Sequence, residues 1–192
     1  MAIDLLRATS HFRAVNDRES ETAYFRTHVP WVAPLAYLNI IFKPPAPDVL
    51  QQAAEELRIP RDWEDFLKLQ NGALLFSDDL YMYGVLRPGQ LLNREDGFRR
   101  LPWNIDDADR ESSPDRDRLL VIGGYGYDCT HVCVDRKDGR VYAFKRRQRR
   151  PIFSWPNTVR WVRDETARIS CLFDETGRRL ADEAETLPRL TQ

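Results

Sequence analysis

The chain has 192 residues, 42% of them hydrophobic and 31% charged, and a formal net charge of −1. These values are ordinary for a single globular domain, and they argue against a general attraction to nucleic acid or to anionic membranes. No charged and then apolar leader begins the chain, and its most apolar stretch, 29–42, is too short for a membrane span and contains two prolines. Three cysteines, an odd number, fit a reducing compartment, so we expect a cytoplasmic protein without a membrane partner.

The first recognisable local signals lie near residue 43. Residues 1–43 carry no motif that predicts their role, and the proline-rich stretch 43–47 is predicted to be a stiff connector. A helix is then predicted over 48–58, where apolar residues recur at helical spacing: Val49, Leu50, Ala53 and Leu57.

The stretch 59–72 predicts a short helix whose two ends are both specified. Pro60 suits the opening of a helix, and acidic residues follow in the first turn, where the helix dipole favours negative charge. Asn71 and Gly72 are predicted to stop the helix, with Gly72 in the left-handed conformation. The residues that share one helical face, three of them large apolar residues predicted to point into the core, are Trp63, Phe66, Leu67 and Gln70.

Strand-like runs dominate the next part of the chain. The stretch 77–79 is turn-prone, and Asp138-Gly139 predicts a tight hairpin. The glycine-rich stretch 123–128 is also predicted to be a turn, because it lacks the glycine spacing and the following helix of a phosphate-binding loop. The predicted strands are 73–76, 80–83, 119–122, 129–135 and 140–145.

A last helix is predicted over 158–172, with Ser154 or Asn157 as its cap. Its apolar stripe is formed by Trp161, Val162, Ile169 and Leu172. Helices first, strands together and a helix last predict an α+β fold, in which an antiparallel or mixed β-sheet meander is packed by helices.

Cys129, His131 and Cys133 have the composition of a metal-binding cluster. On a strand, alternate residues lie about 6.6–6.8 Å apart, which separates the two cysteines by roughly 13 Å, whereas a zinc–sulfur bond is about 2.3 Å. Ordinary buried thiols are therefore expected, with a Cys–His pair and remote ligands as the alternative. A Cys–His nucleophile would also need an orienting group and an oxyanion hole, which no sequence element visibly supplies. We predict no catalytic residue, metal or cofactor.

Two charged segments are the candidates for binding a partner. Residues 104–118 are predicted to be a helix-poor, solvent-facing loop that competes for a basic groove on a protein partner. This acidic segment sets three arginines against six carboxylates, which are Asp106, Asp107, Asp109, Glu111, Asp115 and Asp117. Residues 145–150 are predicted to be a solvated loop between the last strand and the last helix, with phosphate binding as the alternative. The cations of this basic segment are Lys145, Arg146, Arg147, Arg149 and Arg150.

Several of these features together resemble motifs of the SMI1/KNR4 (SUKH) family of small binding domains. They are the stretch from Ile59-Pro60 to Asn71-Gly72, then Asp135, Gly139 and Val141-Tyr142. The resemblance covers residues 44–172, with 87–118 as a charged insertion. It leaves 1–43 as an N-terminal extension packed on the domain and 173–192 as a polar C-terminal tail.

The resemblance implies a binding role, because the family has no shared catalytic residues. Many bacterial members are immunity proteins that neutralise toxins, often nucleases or other nucleic-acid-modifying enzymes, and fungal relatives act as regulatory interaction proteins. We therefore expect a non-enzymatic immunity protein that occludes a toxin domain. The alternatives are a regulatory or scaffold module without a toxin partner, and a nucleic-acid-binding protein that uses the basic segment.

Overall fold

The structure is a computed structural model that describes residues 3–33, 36–87, 101–126, 130–146, 148–181 and 187, with 109–112 described by their backbone alone. The helices of this part of the chain are α1 (Leu5–Ala8), α2 (Pro47–Leu57), α3 (Arg61–Leu67), α4 (Ile105–Ser112) and α5 (Thr158–Ser170). Its strands are β1 (Arg18–Glu19), β2 (Ala23–His28), β3 (Tyr37–Phe42), β4 (Ala73–Leu75), β5 (Leu80–Met82), β6 (Leu119–Tyr125), β7 (Thr130–Asp135), β8 (Val141–Phe144) and β9 (Phe153–Trp155).

The described strands form one sheet in which each strand pairs with the next along the chain, from β1 to β9. Every pairing is antiparallel. The predicted α+β class with an antiparallel meander is therefore confirmed. The first 43 residues supply three of the strands, and β3 joins them to the rest through the pair Asn39↔Leu75.

The two faces of the sheet are covered differently. On one face, the apolar row formed by Ile41, Ala73, Met82, Val132 and Ala143 belongs to the main core, which α3 and α5 complete. The opposite face carries aromatic side chains, and Trp103 and Ala108 pack there, whereas Ile105 of α4 belongs to the main core. Helix α4 thus contacts the main core through Ile105 and the other side of the sheet through Ala108.

Helix α3 buries the three apolar residues of the predicted stripe, but it ends earlier than predicted, so Gln70 is buried outside the helix. Trp63 and Leu67 are fully buried, and Trp63 stacks on Phe66 with ring centroids 4.3 Å apart. The helix ends at Leu67, so the prediction that Asn71 and Gly72 stop it is wrong. Gly72 does have a positive φ of 83°, and it lies against the backbone of Met82, where a side chain would not fit.

The glycine-rich stretch after Ile122 is largely strand, so its prediction as a turn is wrong for Gly123 to Tyr125. A Cβ atom on Gly123 would meet the Tyr81 carbonyl oxygen and would lie 2.9 Å from the Trp161 ring. The glycines let large rings pack directly on the β6 backbone. The pairing of β6 with β7 shifts its register between Val121 and Gly123, which is the signature of a β-bulge.

The chain after β8 contains a strand that was not predicted. Ser154 lies in β9, and Asn157 is the cap of α5, since its side-chain oxygen accepts from the Arg160 N–H at 2.9 Å. The basic segment therefore connects β8 to β9, and its predicted place between the last strand and the last helix is wrong.

The stretch that follows α5 packs on the core. Phe173 stacks on Phe76 at 5.6 Å, and Gly177 is buried against Val29 and Leu38. In the described residues, no helix combines the length and the hydrophobicity that crossing a bilayer requires.

Candidate partner-binding surfaces

Helix α4 holds the start of the acidic segment, so its prediction as a helix-poor loop is wrong. Ile105 is fully buried in the main core, and Ala108 is 8% exposed in a second cluster with Leu119 and Val121, so these two residues hold the helix on the sheet. Asp106 is half-buried and Asp107 is exposed in the first turn, where the helix dipole favours carboxylates. These two carboxylates are thus presented on an anchored helix.

The rest of the acidic segment is a turn that leads into β6. Asp115 and Asp117 are exposed there, as predicted, whereas the side chains of Asp109 and Glu111 lie outside the described residues. Arg136 holds the turn: its guanidinium donates to the Arg116 carbonyl at 2.7 Å and to the Leu57 carbonyl at 2.9 Å. The turn is therefore tied to the C-terminal end of α2.

One of the arginines in the acidic segment is committed to the fold. The Arg118 guanidinium pairs at 2.5 Å with Asp135, a carboxylate that is 1% exposed. Burial acts to raise the pKa of Asp135, but hydrogen bonds from the Lys137 N–H and from Arg118 outweigh it and lower that pKa. Asp135 thus stays ionised and offsets the charge of Arg118. The acidic segment is therefore effectively more negative than its six carboxylates and three arginines alone indicate.

The basic segment is a solvent-facing turn, as predicted. Lys145, Arg146, Arg149 and Arg150 are all exposed, and Arg147 lies outside the described residues. The Gln148 N–H donates to the Lys145 carbonyl at 2.9 Å, which closes the turn. The segment projects from the last two strands of the sheet, so its cations are accessible to an anionic partner.

A groove that was not predicted lies between α2, α3 and the connector 43–47. It is an open groove with a volume of about 650 Å³, within the range of ligand-binding clefts. Its position could not be read from one motif, because three separate segments build it. Its lining residues are Pro44, Pro45, Pro47, Leu50, Gln51, Ala54, Glu55, Ile59, Glu64 and Lys68.

The residues Cys129, His131 and Cys133, for which ordinary buried thiols are predicted and a metal site is the alternative, lie only partly within the described residues. Cys133 is fully buried on β7 and His131 is half-buried, while Cys129 lies outside the description. Within the described ranges, no group of three or more His, Cys, Asp or Glu side chains is placed to hold a metal ion.

A buried ionisable cluster joins α5 to β6. The Tyr125 hydroxyl donates to the Glu165 carboxylate at 2.8 Å, and Arg168 pairs with the same carboxylate at 2.6 Å. Burial, and then the Glu165 charge, raise the pKa of Tyr125 well above its usual value, so the phenol stays neutral. Tyr125 is fully buried and Glu165 is 3% exposed, so these two groups are shielded from solvent and their hydrogen bond ties α5 to β6.

Comparisons of the chain with protein-family models, with curated proteins and with solved structures found no match.

Proposed function

We propose that this chain is a non-enzymatic protein-binding domain of the SMI1/KNR4 type, and specifically an immunity protein that neutralises a bacterial toxin by occluding it. The observation that carries the proposal is the set of carboxylates that α4 and the turn after it present, here called the acidic surface: Asp106, Asp107, Asp115 and Asp117. Its helical part is anchored by Ile105 and Ala108, and its turn is held by Arg136.

An anchored charged surface suits the binding of another protein. The carboxylates on α4 need little ordering when a partner arrives, so less conformational entropy is lost on binding. Their charge attracts a basic groove of the kind that a nuclease-like toxin uses for phosphates, which speeds association. Apolar contacts made after docking would then set the rate of dissociation.

The same surface would also serve a regulatory or scaffold module whose partner is not a toxin. Toxicity of the bound partner separates the two functions, because both predict a complex and only one predicts rescue of cells.

A third function, nucleic-acid binding, is favoured by one observation, the four exposed cations of the basic segment. This function would be supported over protein binding if the wild-type chain bound double-stranded DNA at physiological salt and Lys145→Gln/Arg146→Gln did not.

Association kinetics test the role of the acidic surface. The measurement uses a toxin-domain partner, to be sought first among the products of the genes adjacent to that of this chain, and the variant is Asp106→Asn/Asp107→Asn. At low salt we expect its association rate constant to fall about tenfold, because electrostatic steering is lost. The difference should shrink as salt screens the charges of the wild type.

The matched control is Glu56→Gln/Glu175→Gln, which removes the same net charge at exposed positions outside this surface. We expect its association rate to remain close to that of the wild type. Equal slowing in both double variants would show a general charge effect, and no slowing in either would remove the acidic surface from the binding site.

A further inference from the structure

The groove between α2, α3 and the connector has an apolar floor. Leu50 and Ile59 are 5% and 7% exposed, and Ala54 is half-buried, so these side chains form the bottom of a space of about 650 Å³. Apolar clefts of this size hold side chains of a ligand and exclude water from them.

One wall of the groove is rigid because it is made of prolines. Pro44, Pro45 and Pro47 line it, and Ala46 between them has the extended angles φ −61° and ψ 142°. The start of this wall is fixed by Lys43, whose ammonium donates to Glu19 at 2.6 Å. A preformed wall lowers the entropy that a ligand loses on binding.

The rim of the groove is acidic. Glu55 lines it from α2, and Glu64 lines it from α3. The one cation in the lining, Lys68, pairs with Glu64 at 2.8 Å and with Asp65 at 3.0 Å. The hydrogen bond to Glu64 contributes most, and that to Asp65 next, to a raised pKa of Lys68. The lining therefore sets two carboxylates, Glu55 and Glu64, against one ammonium group that is already paired with Glu64, which leaves a net negative rim.

We propose that this groove binds a short segment of a partner protein that carries a Lys or Arg side chain next to an aliphatic side chain. The aliphatic group fills the floor over Leu50 and Ile59, and the cation meets Glu55 at the rim. The inference rests on the proposed function in that the segment belongs to the protein that this chain binds, and it adds a second contact to the acidic surface.

A library of random twelve-residue peptides, displayed on phage and selected on the immobilised full chain, tests the proposal without knowledge of the partner. We expect selected peptides to combine a basic residue with an adjacent aliphatic one. In Glu55→Lys the affinity of the best peptide should fall about tenfold, because like charges then meet at the rim. Ala54→Trp, which fills the groove, should abolish binding.

Helix α2 supplies a close control. Glu56 is exposed and bonded to Gln52 at 2.9 Å, just as Glu55 is bonded to Gln51 at 3.2 Å, but Glu56 does not line the groove. Glu56→Lys should therefore change the affinity less than about twofold, as expected for an exposed charge outside the site. The comparison of the two lysine variants holds even where Ala54→Trp fails to fold.

Three results would overturn the proposal. The first is that no peptide, or only acidic peptides, are selected. The second is that Glu55→Lys and Glu56→Lys change the affinity equally. The third is a dimer that Glu55→Lys dissociates, because a second copy of the chain would then be the occupant of the groove. The proposed function fails separately. Peptides whose binding needs Glu55, together with toxin-domain proteins that the chain does not bind, would support the groove as a binding site and reject the immunity role.

Discussion

Replacement of Trp63 by alanine is expected to lower the free energy of unfolding by about 3–5 kcal/mol, as is typical when a large buried aromatic side chain is removed. Trp63 is fully buried, stacks on Phe66 and lies 5.9 Å from the Trp161 ring. The substitution leaves a cavity where α3 meets α5, so the loss combines lost burial with lost ring contacts. Urea unfolding measures it as a lower midpoint at an unchanged slope.

Trp31 supplies the control, because it is 46% exposed and its ring contacts the Arg178 guanidinium at 4.9 Å. Trp31→Ala should cost less than about 1 kcal/mol, the value of an exposed cation–π contact. If Trp63→Ala cost no more than Trp31→Ala, the position of Trp63 in the core would be contradicted.

Replacement of Gly123 by alanine is expected to cost about 3 kcal/mol, the upper part of the range for overpacking a core. The new methyl group would meet the Tyr81 carbonyl oxygen, which belongs to the backbone of the paired strand and does not move aside. It would also press on the Trp161 ring at 2.9 Å. Thermal unfolding followed by circular dichroism measures the loss.

Gly139→Ala is the control that separates the cost of steric crowding from the cost of an unfavourable backbone conformation. The φ of Gly139 is 73°, but a Cβ atom there would meet nothing within 4 Å. Gly139→Ala should therefore cost only about 1–2 kcal/mol, the penalty of a left-handed conformation for an L-residue. A larger loss for Gly139→Ala than for Gly123→Ala would contradict the packing described for β6.

The sequence predicted the elements whose signals are local. The stripe of α3, the Asn157 cap of α5 and the glycine at the 136–139 hairpin each depend on a few neighbouring residues, and each is present. Helix α4 was missed because its sequence contains just two apolar residues, Ile105 and Ala108, which is too short a pattern for a periodicity argument.

Features that depend on distant segments could not be predicted. The glycines of β6 indicate a turn when read alone, and only the rings of Tyr81 and Trp161 explain them as strand residues. In the same way, the groove forms where a connector and two helices meet, and its acidic rim combines Glu55 with Glu64. Long-range packing decides both features.

Growth of cells that produce a toxin-domain protein, sought first among the products of the genes adjacent to that of this chain, is the most direct measurement of the central claim. We predict that the wild-type chain, produced in the same cells, restores growth and purifies in a stable complex with that protein. In a charge-neutralised variant, asparagine replaces Asp106, Asp107, Asp115 and Asp117. This variant should fold normally but protect the cells poorly. Undiminished toxicity in the presence of the wild-type chain, or full protection by the neutralised variant, would contradict neutralisation through this acidic surface.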